Sequence, residues 1–108
     1  MKLNQSFESV ESEIKNLDLN FKKNDYTGVI ERSKNLIKKF PKIVPFYNYL
    51  GLSLEQTGRI DEAENTYNKA LFFNPNDNSI LANLGEVYRK KGKFEKSRKL
   101  LLKSININ

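Results

Sequence analysis

The stretch that decides the fold is YNYLGLSLEQTGRIDEAENTYNKALFFNP, residues 47–75. Its apolar residues fall at the spacing of helix faces, and small residues stand regularly among them. Gly51 lies inside the first of these patterns, where glycine costs about 1 kcal/mol relative to alanine, so it predicts a point at which a second helix comes close. Gly58 suits a left-handed helix end, and Pro75 cannot continue a helix. The stretch therefore predicts a helical hairpin.

Much of this pattern returns 34 positions later in the chain. Gly51 has its counterpart at Gly85, and Gly58 has its counterpart at Gly92. Because so many residue pairs share the same spacing of 34 positions, the pattern indicates an internal repeat. The other pairs at this spacing are Leu50 and Leu84, Leu54 and Tyr88, Ile60 and Phe94, Ala63 and Ser97, Tyr67 and Leu101, Ala70 and Ser104, Pro41 and Pro75, and Tyr26 and Ile60.

These residues resemble the tetratricopeptide repeat, a family whose units of about 34 residues each form two helices. The resemblance covers residues 44–108 well, residues 24–41 in part and residues 1–23 poorly. It implies an all-α fold: an α-α superhelix, a right-handed solenoid of antiparallel helix pairs with about three repeats and six helices. The two clear copies of the family pattern read Tyr47, Leu50, Gly51, Leu54, Ala63, Tyr67, Ala70 and Pro75, then Leu81, Leu84, Gly85, Tyr88, Ser97, Leu101 and Ser104.

We expect one domain over residues 1–108. Within it, residues 1–43 are expected to form a divergent N-terminal capping repeat and residues 44–77 a clear repeat. Residues 78–108 are expected to form a second clear repeat, without its final proline and without a capping helix. Besides a long first helix, helices are predicted near 26–39, 45–57, 60–73, 79–91 and 94–106.

The first helix differs from the others, because its apolar residues alternate steps of three and four along a single stripe. The segment LDLNF, residues 17–21, has a bulky residue where the repeats have a small one. We interpret this helix as the N-terminal cap of the stack. A coiled coil is the alternative, less favoured because the stripe is short and repeat-like sequence follows at once. The stripe consists of Leu3, Phe7, Val10, Ile14, Leu17 and Phe21.

Composition argues against catalysis. The chain has no histidine and no cysteine, so it lacks the usual general base, the commonest metal ligand and any thiol nucleophile. Asp61, Glu62 and Glu64 lie where a helix should begin, a place that acids favour for electrostatic reasons. We therefore expect no enzyme activity, no metal site and no cofactor. No apolar run is long enough for a membrane span, and no secretion signal is evident, which favours the cytoplasm.

The family resemblance implies that the first helix of each repeat lines a concave face that binds a peptide or another protein. The alternative is that most of these positions are ordinary exposed residues. Tyr49 and Asn83 are the preferred candidates, because Tyr49 falls off the packing stripe and an asparagine can hold an extended peptide backbone. The candidate residues are Asn48, Tyr49, Leu52, Glu55, Gln56, Asn83, Glu86, Arg89 and Lys90.

Some tetratricopeptide domains clamp the C-terminal carboxylate of heat-shock chaperones with lysine and arginine beside asparagine. The corresponding later-repeat positions in this chain are Ser79 and Asn83, and neither is basic. We therefore argue against that function here.

The formal net charge is +6, and the most basic segment is RKKGKFEKSRKLLLKS near the C-terminus. Its lysines are spread around two helices without an interleaved aromatic platform, so a solvated helix face is favoured over nucleic-acid binding. An acidic protein partner fits the same charge.

The last helix offers an apolar face that a repeat array would normally cover. We expect Leu101, Leu102 and Ile105 to mediate self-association as a homodimer, unless the chain is the front part of a longer protein. The leading hypothesis for function is a non-catalytic scaffold that binds a protein or peptide. The alternative is the N-terminal repeat region of a larger bacterial sulfotransferase or glycosyltransferase, in which these residues would position substrate.

Overall fold

The computed structural model describes the backbone of residues 2–106 and the side chains of residues 9–106. This part of the chain forms six α-helices joined by short turns, and the five helix ranges predicted from the sequence are confirmed. The bounds are α1 Lys2–Lys22, α2 Tyr26–Lys39, α3 Val44–Gln56, α4 Ile60–Phe73, α5 Asn78–Lys90 and α6 Phe94–Asn106.

Consecutive helices pack as antiparallel pairs, and the pairs stack into a solenoid of 47 × 28 × 21 Å. The first helices of adjacent pairs touch, α1 with α3 and α3 with α5. Within residues 2–106 the second helices of adjacent pairs do not contact one another: α2 does not contact α4, and α4 does not contact α6. The stack therefore curves with α1, α3 and α5 on its inner side.

The turn inside each helix pair has the same geometry in all three pairs. Asn24, Gly58 and Gly92 adopt left-handed backbone conformations, with φ of 64°, 79° and 77°. In each turn the next residue donates its backbone N–H five residues back, as in Arg59 to the Leu54 carbonyl at 2.8 Å. This is the Schellman closure of a helix end, and asparagine tolerates its left-handed position better than most residues with a side chain.

Two helices, α2 and α5, begin where an aspartate side chain satisfies an exposed backbone N–H group. The Asp25 carboxylate accepts the Gly28 backbone N–H at 3.1 Å, and the Asp77 carboxylate accepts the Ile80 N–H at 3.0 Å. Asp77 is thus the N-cap residue of α5. Pro45 lies in the first turn of α3, where its missing N–H costs nothing.

Each pair packs a large side chain against a small one, but the first pair reverses the order. In the second pair Gly51 on α3 faces the buried Tyr67 ring on α4, and in the third pair Gly85 faces Leu101. At the equivalent positions of the first pair, α1 has the buried Leu17 and α2 has the buried Ser33. The bulky residue of LDLNF is thus matched by a small residue on the partner helix.

The apolar stripe of α1 is used within the chain. Val10, Ile14, Leu17 and Phe21 pack into a cluster with residues of α2 and α3, as the capping interpretation requires. The side chains of Leu3 and Phe7 lie outside the described residues. The described part of the stripe is covered without a second chain, so the structure gives the coiled-coil alternative no support there.

Candidate functional site

The candidate residues on α3 and α5 meet along the inner side of the stack. The Asn83 side-chain amide donates to the Asn48 side-chain carbonyl at 2.6 Å. The two residues are 35 positions apart in sequence, so one hydrogen bond joins adjacent repeats. We call the surface formed by Asn48, Glu55, Asn83 and Lys90 the inner polar row.

The second half of the inner polar row is organised around a carboxylate. The Glu55 side chain is 6% exposed. Its Oε2 atom accepts the Tyr67 hydroxyl at 2.6 Å, and its Oε1 atom accepts Lys90 Nζ at 3.0 Å. Burial and the adjacent Glu55 carboxylate together raise the pKa of the Tyr67 phenol well above its ordinary value. A charge-assisted network thus ties α3, α4 and α5 together.

Tyr49 differs from the sequence expectation. The prediction that it lies off the packing stripe is wrong, because its ring is half-buried against the cluster formed by α1, α2 and α3. The Phe21 ring stands edge-on to it at 6.1 Å, and the Tyr49 hydroxyl donates to Asp18 Oδ1 at 2.7 Å. Desolvation and the Asp18 carboxylate raise the pKa of Tyr49 to about 12. Tyr49 therefore holds α1 against α3.

The remaining candidates are more loosely placed. Leu52 is half-buried and Gln56 is exposed on α3. Glu86 and Arg89 form an exposed ion pair within α5 at 3.0 Å, and the Arg89 guanidinium holds the pKa of the Glu86 carboxyl below its usual range. A ligand that used either charge would have to displace this local partner.

An ion-pair cluster that sequence reasoning missed joins α4 to the end of α5. Lys91 Nζ lies 2.6 Å from Asp61 Oδ1 and 2.7 Å from Glu64 Oε1. Its hydrogen bonds hold the pKa of both carboxyls below their usual range, and the two carboxylates raise the pKa of Lys91. Asp61 and Glu64 thus join two helices in addition to lying near the start of α4. No sequence signal connects charges 27 and 30 residues apart.

The C-terminal candidate surface is partly covered. Leu101 is half-buried against the Gly85 position. Leu102 is 50% exposed and Ile105 is 67% exposed, so an apolar strip of α6 faces solvent.

The described residues lack two further features. No cluster of three or more potential metal ligands occurs in the described part of the chain. A bilayer span requires about 20 consecutive apolar residues, and no helix within residues 2–106 provides one.

A stack of antiparallel helix pairs repeating every 34 residues, with polar side chains shared between neighbouring pairs, defines a helical repeat protein. Sequence comparison names the repeat. A family model described as TPR repeat matches residues 51–92, and one described as tetratricopeptide repeat matches residues 79–108. Together they span more than half of the chain. The chain belongs to the tetratricopeptide repeat family.

Solved structures with the same fold share little sequence with this chain. The second TPR of Spaghetti (RPAP3) is 16% identical with a TM-score of 0.87, and the match covers 100% of both chains. The type III secretion translocator chaperone SycD of Yersinia enterocolitica is 14% identical with a TM-score of 0.86, over 93% of this chain and 76% of SycD. MamA is 22% identical with a TM-score of 0.80, over 90% of this chain and 57% of MamA. These identities establish a common fold and nothing further.

No curated protein sequence matches the chain.

Proposed function

We propose that this chain is a non-catalytic scaffold that binds a peptide or an extended protein segment along the inner polar row. The observation that supports the proposal is the hydrogen-bonded row itself, in which Asn48 and Asn83 present adjacent amides from neighbouring repeats. Each asparagine offers two N–H donors and a carbonyl with two lone pairs, so their mutual bond leaves capacity for a peptide backbone. The lack of histidine and cysteine favours binding over catalysis.

The solved structures of two similar proteins contain a bound peptide. The RPAP3 domain was bound to the HSP90 peptide SRMEEVD, and SycD was in complex with a peptide of the translocator YopD. They make peptide binding a reasonable proposal for this fold, while the peptide itself is set by exposed residues that differ between family members.

The row favours an uncharged or mixed peptide over an acidic C-terminus. Ser79 and Asn83 are not basic, and the Lys90 ammonium is already paired with the Glu55 carboxylate. A carboxylate ligand would have to compete with a nearly buried one. We therefore expect the peptide SRMEEVD to bind weakly at most, which makes it a useful reference ligand.

The experiment begins with a peptide array probed with the whole chain, followed by calorimetric titration of the peptides selected. Asn48→Ala combined with Asn83→Ala is compared with Asn35→Ala, an exposed asparagine on α2. Loss of two hydrogen bonds should weaken binding by about tenfold or more, and the control should change it by less than about twofold. Equal affinity for all three proteins would move the site away from the inner polar row.

The exposed strip of α6 supports self-association as a second candidate role. Apolar side chains at Leu102 and Ile105 face solvent, and burying them against a second copy would remove that surface from water. Light scattering over a concentration series should show dimers for the natural chain and monomers for Leu102→Lys combined with Ile105→Lys. A monomer at high concentration without the substitutions would refute this role.

Under the proposal the protein works in the cytoplasm, which its cysteine-free composition favours.

A further inference from the structure

A groove opens on the outer side of the stack, opposite the inner polar row. It lies between α2 and α4, which do not approach each other closely in residues 2–106, and α3 forms its floor. Its volume is about 490 Å³, within the range of roughly 300–1,000 Å³ that is typical of ligand sites. We call it the outer groove.

The floor of the outer groove is apolar. Ile37, Leu50 and Leu54 line it and belong to or pack against the main core cluster. Tyr47 lines the end of the groove nearest the α2–α3 turn. The centroids of the Tyr47 and Phe73 rings are 6.0 Å apart, and the Phe73 side chain is 38% exposed. The floor therefore continues into an accessible aromatic edge that a large apolar side chain could cover.

The rim of the outer groove is basic. Lys34 and Lys38 approach from α2 and Lys69 from α4. Within the described residues none of these three lysines forms an ion pair. The acidic residue in the lining, Glu62, is held by Arg59 through two hydrogen bonds of 2.9 and 2.7 Å. Arg59 is the main cause that lowers the pKa of the Glu62 carboxyl, and Lys34 contributes to it, so Glu62 offsets part of the charge. The three lysines still give the rim a net positive charge.

We infer that the outer groove docks an acidic segment of a partner protein that inserts at least one large apolar side chain. Acidic residues of the partner would complement the charge of the three lysines. An apolar side chain between these acidic residues would pack on the aliphatic floor. A nucleic acid fits less well, because its bases need aromatic stacking platforms and the floor is mainly aliphatic. This second docking surface is separate from the inner polar row and does not depend on it.

The test uses fluorescence anisotropy with an array of labelled short peptides that combine aspartate or glutamate with leucine, isoleucine or phenylalanine at varied spacing. A matched array replaces every apolar residue by serine, and a single-stranded RNA is a third probe. We expect binding by apolar-acidic peptides, no binding by the serine array, and affinity that falls as salt is added.

The protein variants locate the site. Lys34→Gln, Lys38→Gln and Lys69→Gln together should weaken binding by about tenfold. Lys15→Gln, Lys99→Gln and Lys103→Gln make the same change in net charge at exposed positions of α1 and α6 and should have little effect. The pair Asn48→Ala and Asn83→Ala should leave this affinity unchanged, which separates the outer groove from the proposed function.

Three results with the peptides would overturn the inference: no binding by any apolar-acidic peptide, equal binding by the serine array, or equal loss of affinity in both lysine triples. Preferential binding of RNA that is lost in the Lys34, Lys38 and Lys69 triple would also overturn it, since the groove would then recognise phosphates.

Discussion

The Tyr67 ring lies in the space that the missing side chain of Gly51 leaves open. A Cβ atom built on Gly51 would stand 2.5 Å from Tyr67 Cζ, closer than real side chains approach. The ring is fully buried, and its hydroxyl is anchored on Glu55. The glycine that is unfavourable for a helix is therefore what allows α3 and α4 to nest.

Gly51→Ala is expected to destabilise the protein by about 1–3 kcal/mol, because overpacking against an anchored ring outweighs the helix propensity gained. Gly85→Ala is the matched change. A Cβ there would stand 2.9 Å from Leu101 Cγ, and Leu101 is only half-buried, so its side chain has room to shift. We expect its cost to be below about 1 kcal/mol. Urea denaturation of both variants measures the difference, and an equal cost would contradict the nesting argument.

Ser33→Ala is expected to be neutral or stabilising. The Ser33 side chain is fully buried and its hydroxyl has no hydrogen-bond partner among the described residues. An unpaired buried hydroxyl costs about 1–3 kcal/mol, and alanine removes it with little change in volume. Thermal unfolding followed by circular dichroism provides the measurement. A clear loss of stability in Ser33→Ala would mean that the Ser33 hydroxyl forms a stabilising hydrogen bond.

Tyr67→Phe is expected to cost about 1.5–3 kcal/mol near neutral pH, since a buried hydrogen bond to a carboxylate is lost. It should also make stability less sensitive to alkali. Tyrosine ionises near pH 10 in the unfolded chain, while burial and Glu55 raise the pKa of Tyr67 in the folded chain. Its contribution is complete below pH 10 and is lost as pH rises, because only the unfolded state releases the proton.

The measurement for Tyr67 is urea unfolding from neutral pH to about pH 12. The natural chain should lose stability more steeply than the variant over the alkaline range. Tyr49, whose pKa is raised to about 12, keeps some alkaline sensitivity in both proteins. Parallel curves would show that Tyr67 does not remain neutral in the folded state.

Lys91→Ala is expected to reduce the loss of stability in acid. Lys91 holds the pKa of Asp61 and Glu64 below 3.8 and 4.5 in the folded state. Their contribution is present above these unfolded values and is lost as pH falls through the lower folded ones. The natural chain should therefore weaken more between about pH 5 and pH 3 than the variant does. Lys99→Ala, an exposed lysine on α6, is the control and should behave like the natural chain.

The helix ranges could be predicted from sequence because local chemistry determines them. Glycine and proline mark the ends, and a period of 34 residues fixes the pairing of helices. Asn24 was a missed signal of the same kind, since it precedes Gly58 by 34 residues and forms the same turn. The exchange of a large and a small residue at Leu17 and Ser33 could be predicted only in part. The bulky residue of the first helix was recognised from the sequence, but the small residue that matches it on α2 was not.

The side-chain contacts of the candidate site could not be predicted in the same way. Tyr49 looked exposed within its own repeat, yet Asp18 and Phe21 of α1 cover it. Lys91 looked like part of a solvated basic tail, yet it binds two acids of α4. In both cases the partner lies on another helix, and a sequence pattern within one helix gives no information about it.

Every interhelical contact in the described chain joins helices that are neighbours or next neighbours in sequence. Contacts of this kind close only short loops, so little chain entropy has to be lost before they form. We expect rapid folding, on a scale of microseconds to milliseconds, as is typical of helical proteins with local contacts. During synthesis each hairpin can dock on the one already completed, so the molecule can be assembled in the order in which it is translated.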